Sequence, residues 1–122
     1  MRRILTVDDS TSMRQMVRAT LQSAGYGVVE AADGQEALEF ARDNAVDLVI
    51  SDVNMPRMDG ITLVGQLRAL PSYRLTPLLL LTTESSQEKK MEGKRAGATG
   101  WIVKPFNPTQ LLSTLTKLFG TV

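Results

Sequence analysis

The stretch DLVISDVNMPRMDG, residues 47–60, decides the fold of this chain. Leu48, Val49 and Ile50 form an uninterrupted apolar run, and two residues later the run ends at Asp52. A strand that is apolar on both faces is typical of a parallel sheet covered by helices on each side. The stretch therefore predicts a buried strand with a carboxylate at its carboxyl end.

Four other apolar runs predict further strands, at residues 4–7 (ILTV), 28–29 (VV), 78–81 (LLLL) and 101–103 (WIV). Helical patterns lie between the five runs, and strand and helix alternate five times without repeats or linkers. Such alternation predicts an α/β fold of the (βα)5 type, a doubly wound parallel five-stranded sheet with helices on both faces.

Several predicted helices have recognisable ends. Ser10 or Thr11 caps the first helix and Gly25 ends it. Its expected buried stripe consists of Met13, Met16, Val17, Thr20, Leu21 and Ala24. The other expected starts are Asp33 with Glu36 three residues later, Asp59-Gly60 for the third helix, and Asn107-Pro108 for the fifth.

The fourth helical segment, residues 85–98, is poorly anchored by its sequence. We expect only Met91 and Ala96 to be buried, and Gly93 lies mid-helix at a cost of about 1 kcal/mol relative to Ala. Two interpretations remain open. The helix is either marginal by accident, or its exposed face, which carries Lys89, Lys90, Lys94 and Arg95, is used for binding.

Composition excludes several classes of site. The 122 residues, which we expect to form a single domain over 1–122, contain no Cys and no His. Disulfides, zinc fingers and Ser-His-Asp triads are therefore excluded. No apolar run approaches the roughly 20 residues of a membrane helix, so we expect a soluble, cytoplasmic protein without a membrane partner. Residues 1–61 hold six Lys and Arg against ten Asp and Glu, whereas residues 62–122 hold eight against three.

Polar residues follow the predicted strands at the carboxyl ends, which share one rim of the sheet. They are Asp8 and Asp9 after the first strand, Asp52 at the third, Thr82 after the fourth and Lys104 after the fifth. Each has an ordinary structural explanation when taken alone, such as a helix cap, a turn or a surface charge. Two carboxylates about 4 Å apart repel by roughly 4 kcal/mol at an effective dielectric near 20. A divalent cation among the carboxylates would offset this repulsion, and oxygen ligands without His or Cys suit hard ions. The three acids together therefore predict a site for Mg²⁺ or another hard ion such as Mn²⁺.

Lys104 and Thr82 add a cation and a hydroxyl donor to this rim. These are groups that contact the oxygens of a transferring phosphoryl group. A carboxylate, a hard metal ion, a lysine and a hydroxyl are together the parts of a site that moves phosphoryl groups onto an aspartate.

At this point the sequence resembles the receiver domains of bacterial two-component response regulators. The match covers the whole chain through four segments in order, DDS (8–10), SDVNMPRMDG (51–60), LTTE (81–84) and VKPF (103–106). The resemblance implies a flavodoxin-like, CheY-like fold with strand order 2-1-3-4-5 and no output domain.

The resemblance also assigns roles to residues. It implies that Asp52 accepts a phosphoryl group from a histidine kinase. Asp8 and Asp9 would bind Mg²⁺ together with Asp52 and the backbone carbonyl of Asn54. Lys104 would contact the phosphoryl group, and Thr82 would move toward it. The Lys104–Pro105 peptide bond would be cis.

Details of the sequence resemble the chemotaxis subgroup of this family. The match to that subgroup includes Asn54, Glu84 and the run GATGWIVKPF (97–106). The resemblance implies that Asn54 and Glu84 tune the turnover of the phosphorylated form. The family's switch aromatic is Tyr or Phe, whereas this chain has Trp101, which either acts as the switch or only packs on the fifth strand. The resemblance implies a CheA-like histidine kinase as phosphodonor and a phosphatase as a further partner. It also implies that a flagellar motor switch protein or another docking partner binds on the face of helix 4, strand 5 and helix 5. We expect a monomer that does not bind nucleic acid.

Three alternatives stay open at this stage. The domain could be a phosphorelay intermediate or a phosphate sink of the same fold. An aspartyl phosphohydrolase would need a second acid two residues after the first, where this chain has Ser10. A nucleotide-binding flavodoxin-like protein would need a phosphate cradle after the first strand, where this chain has only acids.

Overall fold

The computed structural model of the chain describes residues 1–83 and 86–120. Strands and helices alternate along the chain as the sequence predicts. In order they are β1 (Arg3–Val7), α1 (Thr11–Ser23), β2 (Gly27–Ala31), α2 (Gly34–Asp43), β3 (Leu48–Asp52), α3 (Gly60–Arg68), a 3-10 turn (Pro71–Tyr73), β4 (Leu78–Thr82), α4 (Gln87–Ala96), β5 (Gly100–Val103) and α5 (Pro108–Phe119).

All five strands are parallel and lie in the order β2-β1-β3-β4-β5, which confirms the predicted flavodoxin-like topology. Successive residues of the central strands enter two separate cores. Leu5 and Val49 pack beneath α2 and α3, whereas Ile4 and Ile50 pack beneath α1 and α5. Because both faces are covered, the strands are apolar without alternation.

The helix starts are where the sequence places them. Ser10, Asp33, Asp59 and Asn107 each accept a hydrogen bond from the backbone N–H three residues later. These caps satisfy backbone donors that have no partner within the helix. They also fix where each helix begins relative to the preceding strand, and therefore where the loop residues at the rim lie.

The predicted buried stripe of α1 is partly wrong. Val17 and Leu21 are buried, but Met16 is 56% exposed and Ala24 is also exposed. Consecutive helical residues are turned by about 100° from each other, so Met16 cannot share the inward direction of Val17. Apolar character alone therefore overstated the width of the buried face.

The burial expected in α4 is also corrected. Met91 is 50% exposed, and the buried residue of this helix is Gly93. A Cβ at position 93 would lie 2.9 Å from Leu80 Cδ1 and 3.1 Å from Trp101 Cζ3. Gly93 is therefore the point at which α4 approaches β4 and β5 closely. The close packing requires glycine here, although glycine has a low helix propensity.

No helix within residues 1–83 and 86–120 is long and apolar enough to span a membrane.

Candidate functional site

Strand order reverses between β1 and its neighbours, since β1 lies between β2 and β3. Open α/β sheets bind ligands in the crevice at the carboxyl ends of the strands beside such a reversal. Asp8 and Asp9 follow β1 directly, and Asp52 is the last residue of β3. The fold therefore brings the three predicted carboxylates to one crevice.

Asp8 is held in place by its own backbone and by α1. It is 5% exposed, its backbone N–H donates to the Ala31 carbonyl at 3.2 Å, and its Oδ1 accepts from the Ser10 N–H at 2.9 Å. Arg14, one turn into α1, donates from Nη1 to the Asp8 carbonyl oxygen. Asp9, by contrast, is exposed. The pair thus presents one buried carboxylate held by hydrogen bonds and one exposed carboxylate beside it.

Asp52 is positioned by the start of α3. It is 8% exposed, and its Oδ1 accepts from the Val53 N–H at 2.9 Å. A Cβ at Gly60 would lie 2.1 Å from the Asp52 carbonyl oxygen, so only glycine allows α3 to begin this close to the strand end. Gly60 also donates its N–H to the Val53 carbonyl at 2.8 Å. These contacts fix the backbone that follows Asp52, and sheet pairing with Leu81 fixes Asp52 itself.

Lys104 joins the two buried carboxylates. Its Nζ lies 3.1 Å from Asp8 Oδ2 and 3.3 Å from Asp52 Oδ1, and its side chain is only 13% exposed. Burial raises the pKa of Asp52, the nearby Lys104 charge opposes this rise, and the Asp8 charge adds to it. The Lys104 N–H donates to the Thr82 carbonyl at 2.8 Å, and the Lys104–Pro105 bond is cis. The contacts of Nζ with Asp8 and Asp52 place the lysine in the crevice from the end of β5.

The donor set of the crevice fits a hard divalent cation. Within the described residues, one group of carboxylates could hold a metal ion, and oxygens of its members Asp8, Asp9 and Asp52 all lie within 4.8 Å of one another. Carboxylate oxygens without nitrogen or sulfur ligands suit Mg²⁺ and Mn²⁺. Such an ion would relieve the repulsion among carboxylates that a single lysine offsets only in part.

The remaining predicted residues lie around this centre. Thr82 ends β4 and is fully buried, and Trp101 lies half-buried on β5 against Gly93. Asn54 is exposed at the start of the loop after β3. Glu84 lies outside the described residues. The chain therefore brings Asp8 and Asp52 into direct contact with Lys104 and places Thr82 at the end of the strand that adjoins Asp52.

Sequence reasoning missed three positions near the crevice. Arg14 supports Asp8, Gly60 makes room beside Asp52, and Arg57 in the β3–α3 loop pairs with Asp33. The Asp59-Gly60 pair was recognised as a helix start, which was a partial signal for Gly60. A cation that reaches a partner on another element has no local pattern that would reveal it.

This chain is similar in sequence and in structure to proteins of one known family. Residues 4–116 match the family model of the response regulator receiver domain. Chemotaxis protein CheY-3 of Vibrio cholerae is 39% identical over 118 residues, which are 96% of this chain and 91% of that protein. The structure of Vibrio cholerae CheY4 is 58% identical and superposes with a TM-score of 0.92 over 97% of this chain and 98% of that one.

A third comparison concerns the metal. The receiver domain of a sensor histidine kinase from Pseudomonas aeruginosa carries a magnesium ion in its active site cleft. It is 29% identical and superposes with a TM-score of 0.91 over 98% of both chains. Fold, acidic cluster and family match agree, and the chain belongs to the response regulator receiver domains of two-component signalling, among which it is similar to chemotaxis proteins of the CheY type.

Proposed function

We propose that this chain is a phosphorylation-dependent switch in which Asp52 receives a phosphoryl group from the phosphohistidine of a histidine kinase. The observation that carries the proposal is the contact of Lys104 Nζ with both Asp8 and Asp52, at 3.1 and 3.3 Å, beside a cluster of three carboxylates. The Lys104 ammonium therefore lies within contact distance of the carboxylate that would carry the phosphoryl group.

The chemistry follows from the positions of these side chains. An Asp52 oxygen attacks phosphorus, the phosphorus–nitrogen bond of the donor breaks, and the imidazole keeps the electron pair. Lys104 then pairs with an oxygen of the acyl phosphate, and Asp8 and Asp9 would hold the divalent ion together with Asp52 and the Asn54 carbonyl. Bound Mg²⁺ supplies charge neutralisation for the incoming phosphoryl oxygens. Hydrolysis of the acyl phosphate by water restores Asp52, so the chain catalyses only its own phosphorylation and dephosphorylation.

The switch is proposed to pass from Thr82 to the surface. Thr82 is fully buried at the end of β4, directly before the segment that leads into α4. Movement of its hydroxyl toward a phosphoryl oxygen would alter the packing of α4 on Trp101. Phosphorylation can act only by favouring one of two states that already exist in equilibrium.

The surface that changes is the face of α4, β5 and α5, and we propose that partners dock there. Two surface cavities of about 260 and 400 Å³ meet at Trp101, one lined by Lys90 and Lys94 and the other by β5 and α5. A basic rim around half-buried aromatic surface suits an acidic partner segment. By similarity to the chemotaxis proteins, the candidate partners are a flagellar motor switch protein and a phosphatase.

Intact-mass analysis tests the proposal. The parent, Asp52→Asn and the exposed control Asp43→Asn are each incubated with acetyl phosphate, with and without Mg²⁺. We expect one added phosphoryl group on the parent and on the control, only when Mg²⁺ is present, and none on Asp52→Asn.

An adduct that persists in Asp52→Asn would place the acceptor elsewhere. No adduct in the parent, with consumption of acetyl phosphate also excluded, would leave a metal-binding domain that only shares the receiver fold. Continuous Mg²⁺-dependent consumption of a phosphomonoester would instead favour a phosphohydrolase.

A further inference from the structure

The loop between β3 and α3 contains a backbone conformation that its sequence does not favour. Arg57 has φ of 68°, and the Met58 N–H donates to the Pro56 carbonyl at 2.8 Å, which closes a three-residue turn around Arg57. A γ-turn with positive φ at its middle residue is rare and strained, and a side chain with a Cβ adds to the strain. Something outside the turn must therefore hold it.

The side chain of Arg57 provides such a hold. Its Nε donates to Asp33 Oδ2 at 3.0 Å and its Nη2 donates to Asp33 Oδ1 at 3.0 Å, so the guanidinium forms a bidentate ion pair with the carboxylate. Asp33 is itself fixed, because Oδ1 also accepts from the Glu36 N–H at 2.9 Å as the cap of α2. These hydrogen bonds hold the pKa of Asp33 below its ordinary value, with the Arg57 bonds as the main cause.

A second contact shows that the loop rests on α2 at this point. A Cβ at Gly34 would lie 2.6 Å from the Met58 carbonyl oxygen, so the loop backbone sits directly against the first residue of α2. The same loop directly follows Asp52 and contains Asn54, and these two residues are proposed ligands of the divalent ion. Its position on α2 therefore bears on the geometry of the crevice.

We propose that Arg57 is a positioning residue that, through Asp33, holds the strained turn and so keeps the loop carbonyl of Asn54 in place for divalent-ion binding. This inference rests on the proposed function, since it deepens the account of the same metal site. Because glycine adopts positive φ without strain, the turn needs the Arg57–Asp33 ion pair only while residue 57 carries a side chain.

The test is a cycle of variants with Mg²⁺ as the ligand, measured by isothermal titration calorimetry. Arg57→Ala and Asp33→Asn each lose the ion pair, although Asn still caps α2. We expect both to raise the Kd for Mg²⁺ at least fivefold. Arg57→Gly should stay within twofold of the parent, and Asp33→Asn should have no further effect when combined with it. Lys89→Ala, which removes the exposed Lys89–Glu92 pair on α4, away from the loop, is the matched control.

Amide hydrogen exchange of the metal-free protein gives a reading that does not depend on the metal. The Met58 and Gly60 amides should exchange faster in Arg57→Ala and Asp33→Asn than in the parent and in Arg57→Gly. Unchanged exchange and unchanged Kd in Arg57→Ala would overturn the inference, as would an equal effect of Asp33→Asn with Gly at position 57. A parent that binds no Mg²⁺ would refute the metal-binding function itself, a result distinct from a parent that binds while all variants behave alike.

Discussion

Asp52 carries its charge in surroundings that disfavour it. Burial raises the pKa of this carboxyl, and the Asp8 charge adds to the effect, while Lys104 reduces it. A carboxyl whose pKa is higher in the folded state than in the unfolded chain opposes folding once the pH exceeds its ordinary value of 3.8. The metal-free protein therefore keeps this carboxylate at the expense of its own stability.

Asp52→Asn should accordingly stabilise the metal-free protein, by on the order of 1 kcal/mol at neutral pH. The gain should shrink as the pH falls through the raised pKa of Asp52, where the folded parent takes up a proton, and it should vanish below about 3.8, where the carboxyl is protonated in both states. Urea denaturation with a chelator present, at several pH values, measures this. In saturating Mg²⁺ the order should reverse, since the ion stabilises the parent more. A variant weaker than the parent at neutral pH without metal would mean that the cluster is an ordinary hydrogen-bonded network.

At the scale of elements, α4 depends on a close approach rather than on apolar side chains. Its buried residue is Gly93, which packs on Leu80 and Trp101, and Met91 is half exposed. The Gly97 N–H bonds to the Lys94 carbonyl at the end of the helix, and Arg68 of α3 donates to the Gly97 carbonyl at 2.9 Å. The helix is therefore tied at its carboxyl end and held close to the sheet at Gly93, with few buried apolar side chains of its own.

Two glycine substitutions separate packing from helix propensity. Gly65 lies exposed in α3, and a Cβ there would meet nothing within 4 Å, so Gly65→Ala should stabilise by about 0.5–1 kcal/mol. Gly93→Ala gains the same propensity but forces Leu80 or Trp101 to move, at roughly 1–3 kcal/mol, so it should destabilise on balance. Thermal denaturation followed by circular dichroism compares them. Equal stabilisation by both would show that α4 is not closely packed at Gly93.

The sequence predicted the residues of the crevice better than the contacts that hold the surrounding loops and helices in place. Asp8, Asp52 and Lys104 follow apolar runs, and parallel strands must bring their carboxyl ends to one rim, so their convergence was predictable. The pairing of Arg57 with Asp33 was not, because it joins two loops and needs a backbone angle that arginine rarely adopts. Gly93 was misjudged for a related reason. A pattern of apolar residues shows which side chains can be buried, but not where two backbones come close.

At the scale of the whole molecule, charge is unevenly divided. Residues 1–61 hold ten Asp and Glu against six Lys and Arg, and residues 62–122 hold three against eight. The acidic excess includes the crevice, and the basic excess includes Lys89, Lys90, Lys94 and Arg95 on α4. Such a distribution attracts cations to one region and acidic partners to another.

Replacing these four α4 residues by Gln should weaken docking of a chemotaxis partner and reduce the dependence of its affinity on salt, since fewer charge pairs form. Binding of the purified motor switch protein to the phosphorylated chain, at two salt concentrations, measures both effects. The control is Arg42→Gln with Arg74→Gln, two exposed residues away from α4 and from the crevice, which lowers the positive charge elsewhere. Unchanged affinity in the α4 variant would show that the basic face is only solvated.

The packing of α4 on β5 also has a practical consequence, because Trp101 is the single tryptophan among the 122 residues. Its indole lies half-buried against Gly93, at the junction that phosphorylation is proposed to alter. The wavelength and intensity of its emission therefore come from one known place in the molecule. The unlabelled protein thus contains its own optical reporter, with which the switch can be timed after rapid mixing with a phosphodonor.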